Sequence, residues 1–468
     1  MREQETMTAS LDADAMRDDS GAIRPDFIDA VSAAIAGRDG GRLRALIGHL
    51  HEADTGDLLE ALDPDYRPKL IELMGADFDF SALTEVDDTV REEILEELPS
   101  QAVAEGVREL ESDDAVYILE DLPEQDQSEI LAQLPFRERA TLEKSLKYPE
   151  GSAGRLMQVD YIAIPPSWTV GETIDFMRET ADLPERFYEI FVVDSENRFL
   201  GAVPLDRLLR TKRPVGIPSL MEPDRRRVHA VDDQEEVARR FERYNLVSAP
   251  VLDKDERLVG VITVDDIVDV IEEEAEEDIK ALGGVNADEE LSDSVSKIVR
   301  SRFPWLLVNL GCALIAAWVI RQFAGSIEKM VALAVLMPIV ASMGGNAATQ
   351  TMTVAVRALA TRELSDANAW RVTRRELMVG AVNGLGFALI LGAVAAFWFS
   401  VADLGLVIGL AMVFVLAMGA LRRHRHSAAA HAVRRRSGRL VRPVRDHDHR
   451  RGRLFSFLSI ATLWFGLT

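Results

Sequence analysis

Long apolar runs are confined to one stretch of this 468-residue chain. The first 300 residues hold none and are rich in Asp and Glu, whereas Phe303 to Ile320, Val331 to Val356, Leu377 to Phe399 and Leu404 to Leu421 are almost wholly apolar. Each run is near the ~20 residues that a helix needs to span a bilayer. The pattern predicts a soluble half joined to a polytopic α-helical membrane half. At ~150 residues per domain the length allows about three domains. Arg300 and Arg302 precede the first run, and Arg357, Arg362, Arg371, Arg374 and Arg375 crowd the second loop, while the loop at 400–403 has no basic residue. Basic loops stay on the cytoplasmic side, so the soluble half is expected in the cytoplasm of a multi-pass protein of the cytoplasmic membrane.

A net charge of -25 argues against nucleic acid as a partner, since phosphates need a basic face, and leaves cations as natural small partners. A solvated acidic surface accounts for the same charge. The single Cys312 lies in an apolar run and can form no intrachain disulfide. The N-terminal MetArgGluGlnGluThrMet lacks the apolar core of a secretory signal, so membrane insertion is expected through the later segments. No nucleophile–base set, Walker loop or zinc spacing is found, and no enzymatic activity is expected.

Residues 1–26 are polar and read as a disordered acidic tail. From 27 to 150 a helical motif recurs: LeuGluAlaLeuAspPro at 59–64, LeuGluGluLeuProSer at 95–100, LeuGluAspLeuProGlu at 119–124 and LeuAlaGlnLeuProPhe at 131–136. Short amphipathic helices with proline stops predict an all-α helical-repeat domain. A second repeat fills 151–271. PheValValAspSerGluAsnArgPheLeuGly at 191–201 returns as ProValLeuAspLysAspGluArgLeuValGly at 250–260, two copies of one α/β unit. These copies resemble a tandem cystathionine-β-synthase (CBS) pair, a module that senses adenosine nucleotides or ions. GlyValIleThrValAspAsp at 260–266 is similar to its ribose and phosphate motif, which implies Thr263 and Asp266 as contacts for a nucleotide such as ATP. The first copy has Pro204 at the hydroxyl position.

Two segments carry candidate chemistry. Asp265, Asp266, Asp269, Glu272, Glu273, Glu274, Glu276, Glu277 and Asp278 crowd one helix, and positions 266, 269, 273, 276 and 277 share a face. Like charges so spaced cost roughly 0.2 to 0.5 kcal/mol per pair unless neutralised, and a hard divalent cation would do so. A solvated linker helix is the alternative. Residues 343–350, MetGlyGlyAsnAlaAlaThrGln, place glycines and amides inside an apolar run. Irregular backbone and amides at membrane depth survive where they line a watery path, which points to a pore, with Pro338 expected to kink the same helix. Close packing through small residues is the bland alternative.

The order of helical-repeat domain, CBS pair, connecting helix at 272–302 and membrane domain at 303–468 resembles the MgtE-type magnesium transporter family. The phrase ThrValAspAspIleValAspValIleGluGluGluAlaGluGluAspIleLysAlaLeuGlyGlyVal at 263–285 closely matches the family's junction between CBS pair and connecting helix. The resemblance implies a homodimer in the lipid bilayer, with Mg2+ as both cargo and gating ligand, and closure when cytosolic Mg2+ is plentiful. By motif position it implies Asp266, Asp269, Glu277 and Asp278 as sensor carboxylates, with Glu105 a candidate from the helical domain. Asn245 stands where some members have a further carboxylate. Gly344, Gly345, Asn346 and Gln350 resemble the pore signature, with Ala348 replacing its usual second glycine, and Pro338 belongs to the same helix. The rival reading is a membrane-anchored CBS nucleotide or ion sensor without transport. A CBS-bearing exporter would carry its CBS pair after the membrane domain. Co2+, Mn2+ or Ni2+ could share the route.

Residues 422–453 depart from the family. They hold twelve arginines and five of the eight histidines, and nine of those arginines fall in 434–453. At ~2.5 to 3.5 kcal/mol each, no span inserts there. With Arg read as CGN, the codons for His447 to Gly452 read one base later permit ThrThrThrAspValVal, similar to the family's last helix, whose aspartate selects the ion. Apolar sequence resumes at Leu454. A frameshift is the expectation, and a His-rich metal tail or a lipid-binding basic tail are the alternatives.

Overall fold

The computed structural model describes residues 16–120, 122–181, 183–184, 186–222, 227–287, 289–360, 368–401 and 403–414. It divides into two compact units. One comprises the described residues up to Ala275 together with Glu290–Asp293, the other Glu276–Glu289 and the described residues from Ser294.

The first unit opens with helices α1 (Pro25–Ala36), α2 (Gly40–Ile47), α3 (Glu52–Ala61), α4 (Arg67–Met74), α5 (Asp88–Glu97), α6 (Ser100–Val107), α7 (Ser112–Glu120), α8 (Glu124–Gln133) and α9 (Phe136–Ser145). The recurring Leu-Pro phrase has a definite mechanical role. Leu98 and Leu134 close α5 and α8 in extended conformation, because a following proline disfavours the helical region. Pro99, Pro123 and Pro135 then stand as the N-cap residues of α6, α8 and α9, so each proline ends one helix and starts the next. The leucines, Leu62, Leu98, Leu122 and Leu134, are all buried in the one core of this domain.

The disordered tail expected over 1–26 is a correction in part. Met16 is buried in the helical core, and Arg17 Nη2 pairs with Asp54 at 2.6 Å and with Asp57. An apolar anchor beside a charge pair orders this segment, while residues 1–15 lie outside the described set.

Next come α10 (Ala153–Leu156), β1 (Ala163–Ile164), α11 (Val170–Glu179), β2 (Glu189–Val193), β3 (Phe199–Pro204), α12 (Leu205–Leu209), β4 (Val228–His229), α13 (Gln234–Tyr244), β5 (Ser248–Leu252), β6 (Leu258–Thr263) and α14 (Val264–Gly283). The two sequence copies give two identical three-stranded sheets, β1-β2-β3 and β4-β5-β6, each with one parallel and one antiparallel pairing. Equivalent registers pair Glu189 with Pro204 and Ser248 with Thr263. The copies exchange backbone hydrogen bonds through matching turns: Phe199 N–H donates to Glu256 O at 3.0 Å and Leu258 N–H to Asn197 O at 3.0 Å. Phe191, Phe199, Leu252, Leu258 and Val261 form a shared apolar core.

The connecting helix expected over 272–302 is also corrected. Helix α14 begins at Val264, inside the range assigned to the CBS pair, and stops at Gly283. Gly284 has φ +71°, and a Cβ there would lie 2.3 Å from Trp305 Nε1, so only glycine turns the chain at this point. Ser294 caps a new helix by accepting from Lys297 N–H, and residues 295–302 belong to it.

The second unit contains α15 (Val295–Gln322), α16 (Ala324–Lys329), α17 (Ala332–Ala360), α18 (Ala369–Phe399) and the shorter apolar α19 (Asp403–Phe414). Among the described residues, three segments are long and apolar enough to cross a membrane: Val295–Gln322, Ala332–Thr351 and Trp370–Phe399. The fourth expected span is described only to Phe414, and the anomalous 422–453 lies outside the described residues. Helices α18 and α19 meet through glycines. A Cβ on Gly405 would lie 2.4 Å from Gly392 O, and one on Gly384 2.9 Å from Val413 Cα, the close backbone approach that small residues allow in lipid.

A Cβ on Gly106 would lie 2.3 Å from the Phe80 ring. Gly106→Ala is therefore expected to destabilise the helical domain by about 1–3 kcal/mol. Denaturant unfolding followed by the helical signal measures it, and an unchanged midpoint would contradict this packing.

Candidate functional site

Helix α7 lies against the first residues of the CBS pair. Arg155 Nη1 donates to Glu120 at 2.9 Å, Val159 N–H to Ser112 Oγ at 2.8 Å, and Gln158 Nε2 to Glu111. These contacts set Asp113 and Asp114, at the start of α7, opposite Asp266 in the first turn of α14. Helix α14 is itself fixed by Ile267 and Val270, which are buried in the core of the second copy.

Asp113 is buried, and neither oxygen of its carboxylate has a hydrogen-bond donor. A buried carboxylate without partners is costly, so burial pushes its pKa well above the usual value, and Asp266, Asp114 and Glu111 push it the same way. Asp266 is raised to about 7 by burial and by Asp265, against hydrogen bonds from the Thr263 hydroxyl at 2.9 Å and the Thr263 N–H at 3.3 Å. The Asp113 and Asp266 carboxyls are close enough to share a proton. Asp114 is raised to about 7 by burial, then by Asp266, Glu111, Glu52 and Glu85. Burial likewise raises Asp269, and Glu85, with Asp269 next among the groups acting on Glu85.

This donor set suits a hard divalent cation: it offers oxygen only, at high negative charge density, with one carboxylate that has no other partner. Among the described residues no group of three or more His, Cys, Asp or Glu side chains is gathered to hold an ion. Mg2+ keeps much of its water and is held by one or two carboxylates, so a pair is the arrangement it takes. Asp113 and Asp266 would hold it, with Asp114 adding negative charge beside them.

Of the residues expected from sequence, Asp266 and Asp269 belong to this acidic group. Glu277 and Asp278 lie about three turns further along α14 and fall in the other compact unit. Glu105 lies on α6, accepts from Gln101 Nε2 at 3.0 Å and is not among the groups acting on Asp113, Asp114 or Asp266. Asp113 and Asp114 were not singled out from sequence. The available signal was AspAsp at the start of a helix that also buries Val116, Ile118 and Leu119, but it reads equally as an N-terminal turn complementing the helix dipole. Asn245 ends α13 with φ 51°, the left-handed conformation that asparagine tolerates.

A separate small cleft lies between the two CBS copies. Thr263, Ser248, Glu189, Tyr161, Asp160 and Arg186 are among its lining residues. Ser248 Oγ donates to Glu189 Oε2 at 3.1 Å, across the two copies. Thr263 thus stands in the cleft, whereas Asp266 holds the Thr263 hydroxyl from behind.

In the second unit the broken backbone expected at 343–350 is a correction, since α17 runs unbroken through Gly344, Gly345 and Asn346. Thr349, Thr351 and Thr353 hydroxyls donate back to the carbonyls of Gly345, Ala347 and Thr349. The helix is instead divided by face. Leu333, Leu336, Met337, Val340 and Gly344 are buried, while Pro338, Ser342, Asn346, Thr349, Gln350 and Thr353 are exposed at spacings of three and four. Asn346 and Gln350 therefore belong to a polar stripe whose other members, Ser342, Thr349 and Thr353, were not picked out from sequence.

The MgtE intracellular N domain model matches residues 50–151, the CBS domain model matches 153–213 and 219–273, and the divalent cation transporter model matches 337–424. Over these segments the chain is similar to the MgtE family. Its relatives include the magnesium transporter MgtE of Enterococcus faecalis, 33% identical over 61% of this chain and 62% of that one. The Thermus thermophilus MgtE is 36% identical over 54% of this chain and 57% of its own length. The Bacillus subtilis MgtE is 28% identical over 81% and 84%. The chain thus spans about three fifths of the length of the first two. The match to the divalent cation transporter model ends inside the Arg/His stretch that begins at residue 422.

Carboxyls whose folded pKa is raised favour folding while protonated. Their contribution is complete below the ordinary value of 3.8 and is lost as pH rises through about 7. In EDTA the first unit is expected to be less stable at pH 8 than at pH 5.5, by on the order of 2–4 kcal/mol. Mg2+ should restore most of that at pH 8 and little at pH 5.5. Asp113→Asn should remove the Mg2+ response but leave part of the pH dependence, because Asp114 and Asp266 stay buried; denaturant midpoints across the four conditions provide the check.

Proposed function

We propose that this chain forms a homodimeric channel-like Mg2+ transporter of the cytoplasmic membrane, closed by cytosolic Mg2+ bound at the Asp113–Asp266 pair beside Asp114. The observation that carries the reading is the buried, donorless Asp113 carboxylate facing Asp266. Without a cation, these groups repel or must take up protons, and the helical domain is pushed from the CBS pair. With Mg2+ the repulsion becomes attraction, and the two domains are held together. Asp269 extends the acidic group that attracts the ion, and Glu277 and Asp278, further along α14, add to the negative charge of that helix.

The uncovered polar stripe of α17 supports a pore. In one copy it has no opposite wall, and in lipid it needs one, which a second copy would supply. Asn346 and Gln350 would offer amide oxygen to a hydrated ion, with Gly344 and Gly345 allowing close approach and Pro338 leaving the Ala334 carbonyl without its helical donor. The membrane potential acting on two charges supplies about 4.6 kcal/mol per 100 mV, from ~2.3 per charge. No ATP hydrolysis is needed, and no enzymatic role is proposed. A nucleotide such as ATP in the Thr263 cleft would act as a regulatory ligand that braces the two CBS copies. The names of the relatives, all magnesium transporters, favour Mg2+ over Co2+, Mn2+ or Ni2+.

A second reading rests on one observation. Residues 422–453, as written, cannot span a membrane, and the transporter match stops among them. In that reading the chain is a cation sensor on an inactive pore.

Asp113→Asn with Asp266→Asn is expected to leave flux that persists in millimolar Mg2+, whereas Asn346→Ala should lower flux by about tenfold or more with unchanged helicity. Vesicle uptake with a Mg2+-sensitive dye measures both. Unchanged gating in the double variant would refute the sensor. Resequencing the coding DNA across codons 415–460 decides between the readings: a lost and regained base restores a last helix with its aspartate, and an in-frame Arg/His stretch predicts no flux.

A further inference from the structure

The first two turns of helix α18 differ from the rest of it. Trp370, Arg371, Arg374 and Arg375 stand there, and all four are exposed. The apolar run that follows, Leu377 to Phe399, extends about 34 Å at ~1.5 Å per residue, enough to fill ~30 Å of hydrocarbon without them. In a membrane the arginines therefore sit at the depth of the lipid headgroups, a level that also suits Trp370, whose ring is apolar and whose N–H is polar. Arg375 Nη2 lies 3.4 Å from Oε1 of the partly buried Glu376. Arg371 and Arg374 have no ion pair among the described residues.

Helical period joins these charges to an apolar surface. From Arg371 the residues Arg375, Met378, Val382, Leu385 and Leu389 follow at spacings of four and three, so they form one stripe, and Arg374 flanks its first turn. Every member is exposed. The stripe is basic at its head and wholly apolar below. An anionic phospholipid has the same order of parts, a negative phosphate above acyl chains. Guanidinium forks match phosphate oxygens through paired N–H donors, and at the edge of hydrocarbon such charges are less screened than in water. A zwitterionic headgroup carries its own cation beside the phosphate and gains less. A second copy of this chain fits the stripe poorly. With a two-fold axis along the membrane normal, equivalent residues meet at equal depth, and the arginines of one copy would face those of the other.

We infer that this stripe binds an anionic phospholipid of the cytoplasmic leaflet, its phosphate held by Arg371, Arg374 and Arg375 and its acyl chains laid along Met378, Val382 and Leu385. The inference rests on the reading of α18 as a membrane span and is independent of ion transport. It gives the arginines a ligand beyond their effect on the direction in which the spans insert. Orientation needs only positive charge in the loop, whereas a lipid site needs that charge on the face that continues into Met378 and Val382. Bound lipid neutralises like charges crowded into one turn and fixes the depth of α18.

The test uses the full chain in vesicles of phosphatidylcholine with a minority of phosphatidylglycerol, bromine being carried on the acyl chains of one lipid or the other. Bromine quenches nearby indoles, and subtracting the signal of Trp370→Phe isolates Trp370 from the other tryptophans of the chain. Per mole, brominated phosphatidylglycerol is expected to quench Trp370 about fivefold more effectively than brominated phosphatidylcholine. The preference should disappear when Arg371→Gln, Arg374→Gln and Arg375→Gln are combined, a variant in which Arg300, Arg302 and Arg357 still mark the cytoplasmic side. Lysine at the same three positions keeps the charge without the fork and should retain a preference. Equal quenching by the two lipids, a preference that survives the glutamines, or one lost with the lysines would overturn the lipid site. Quenching by neither lipid would instead remove α18 from the membrane, whereas equal quenching by both keeps it there, so the two readings fail separately.

Discussion

A carboxylate buried without a donor is among the most expensive things a folded chain can hold, and Asp113 is one, with Asp266 facing it. Everything around it in the first unit is ordinary packing: leucines under proline-capped helices, and two small sheets joined through a shared aromatic and aliphatic core. That packing holds the two acids together despite their repulsion. The tension can be relieved by a proton or by a cation. At neutral pH the cation is the more effective, because it satisfies both oxygens and converts a repulsive term into an attractive one.

The membrane unit follows a parallel logic with a different solvent. Helix α17 buries Leu333, Leu336, Met337 and Val340 and leaves Ser342, Asn346, Thr349 and Thr353 uncovered. In water such a stripe would be unremarkable; in hydrocarbon it demands a partner or a column of water. The glycines contribute close approach and do not break the helix, since the threonine hydroxyls bond back to carbonyls along the same turn region.

Much of the architecture was legible in the chain because it repeats. The Leu-Pro phrase and the strand-turn phrase of 191–201 and 250–260 are each written more than once, so periodicity alone located the helical domain and the paired sheets. The acidic run at 265–278 was equally visible, but of it Asp266 and Asp269 join the acidic group beside α7, and Glu273 acts on Tyr117 of that helix. What could not be read were the residues that meet Asp266. Asp113 and Asp114 look like acidic residues in a helix's first turn, and nothing in their spacing predicts that α7 turns toward α14. Glu105, the residue picked from that domain, lies on α6 and bonds Gln101 instead. The broken backbone expected around Gly344 failed for the converse reason: glycine lowers helix propensity, yet the apolar face on either side supplies enough packing to override a cost of about 1 kcal/mol per residue.

Sequence by itself determined the division into an acidic soluble part and an apolar part, the order of the domains, the twofold repeat and the residue types available to hold a cation. These follow from composition and period, which are local properties of the chain. Tertiary structure decided which carboxylates face one another, that Arg91 is buried against Tyr117, and that Glu290 caps a helix some two hundred residues earlier. Those depend on how separate elements pack. Packing is set by the sum of many weak contacts over the whole domain, and no window of sequence contains that sum.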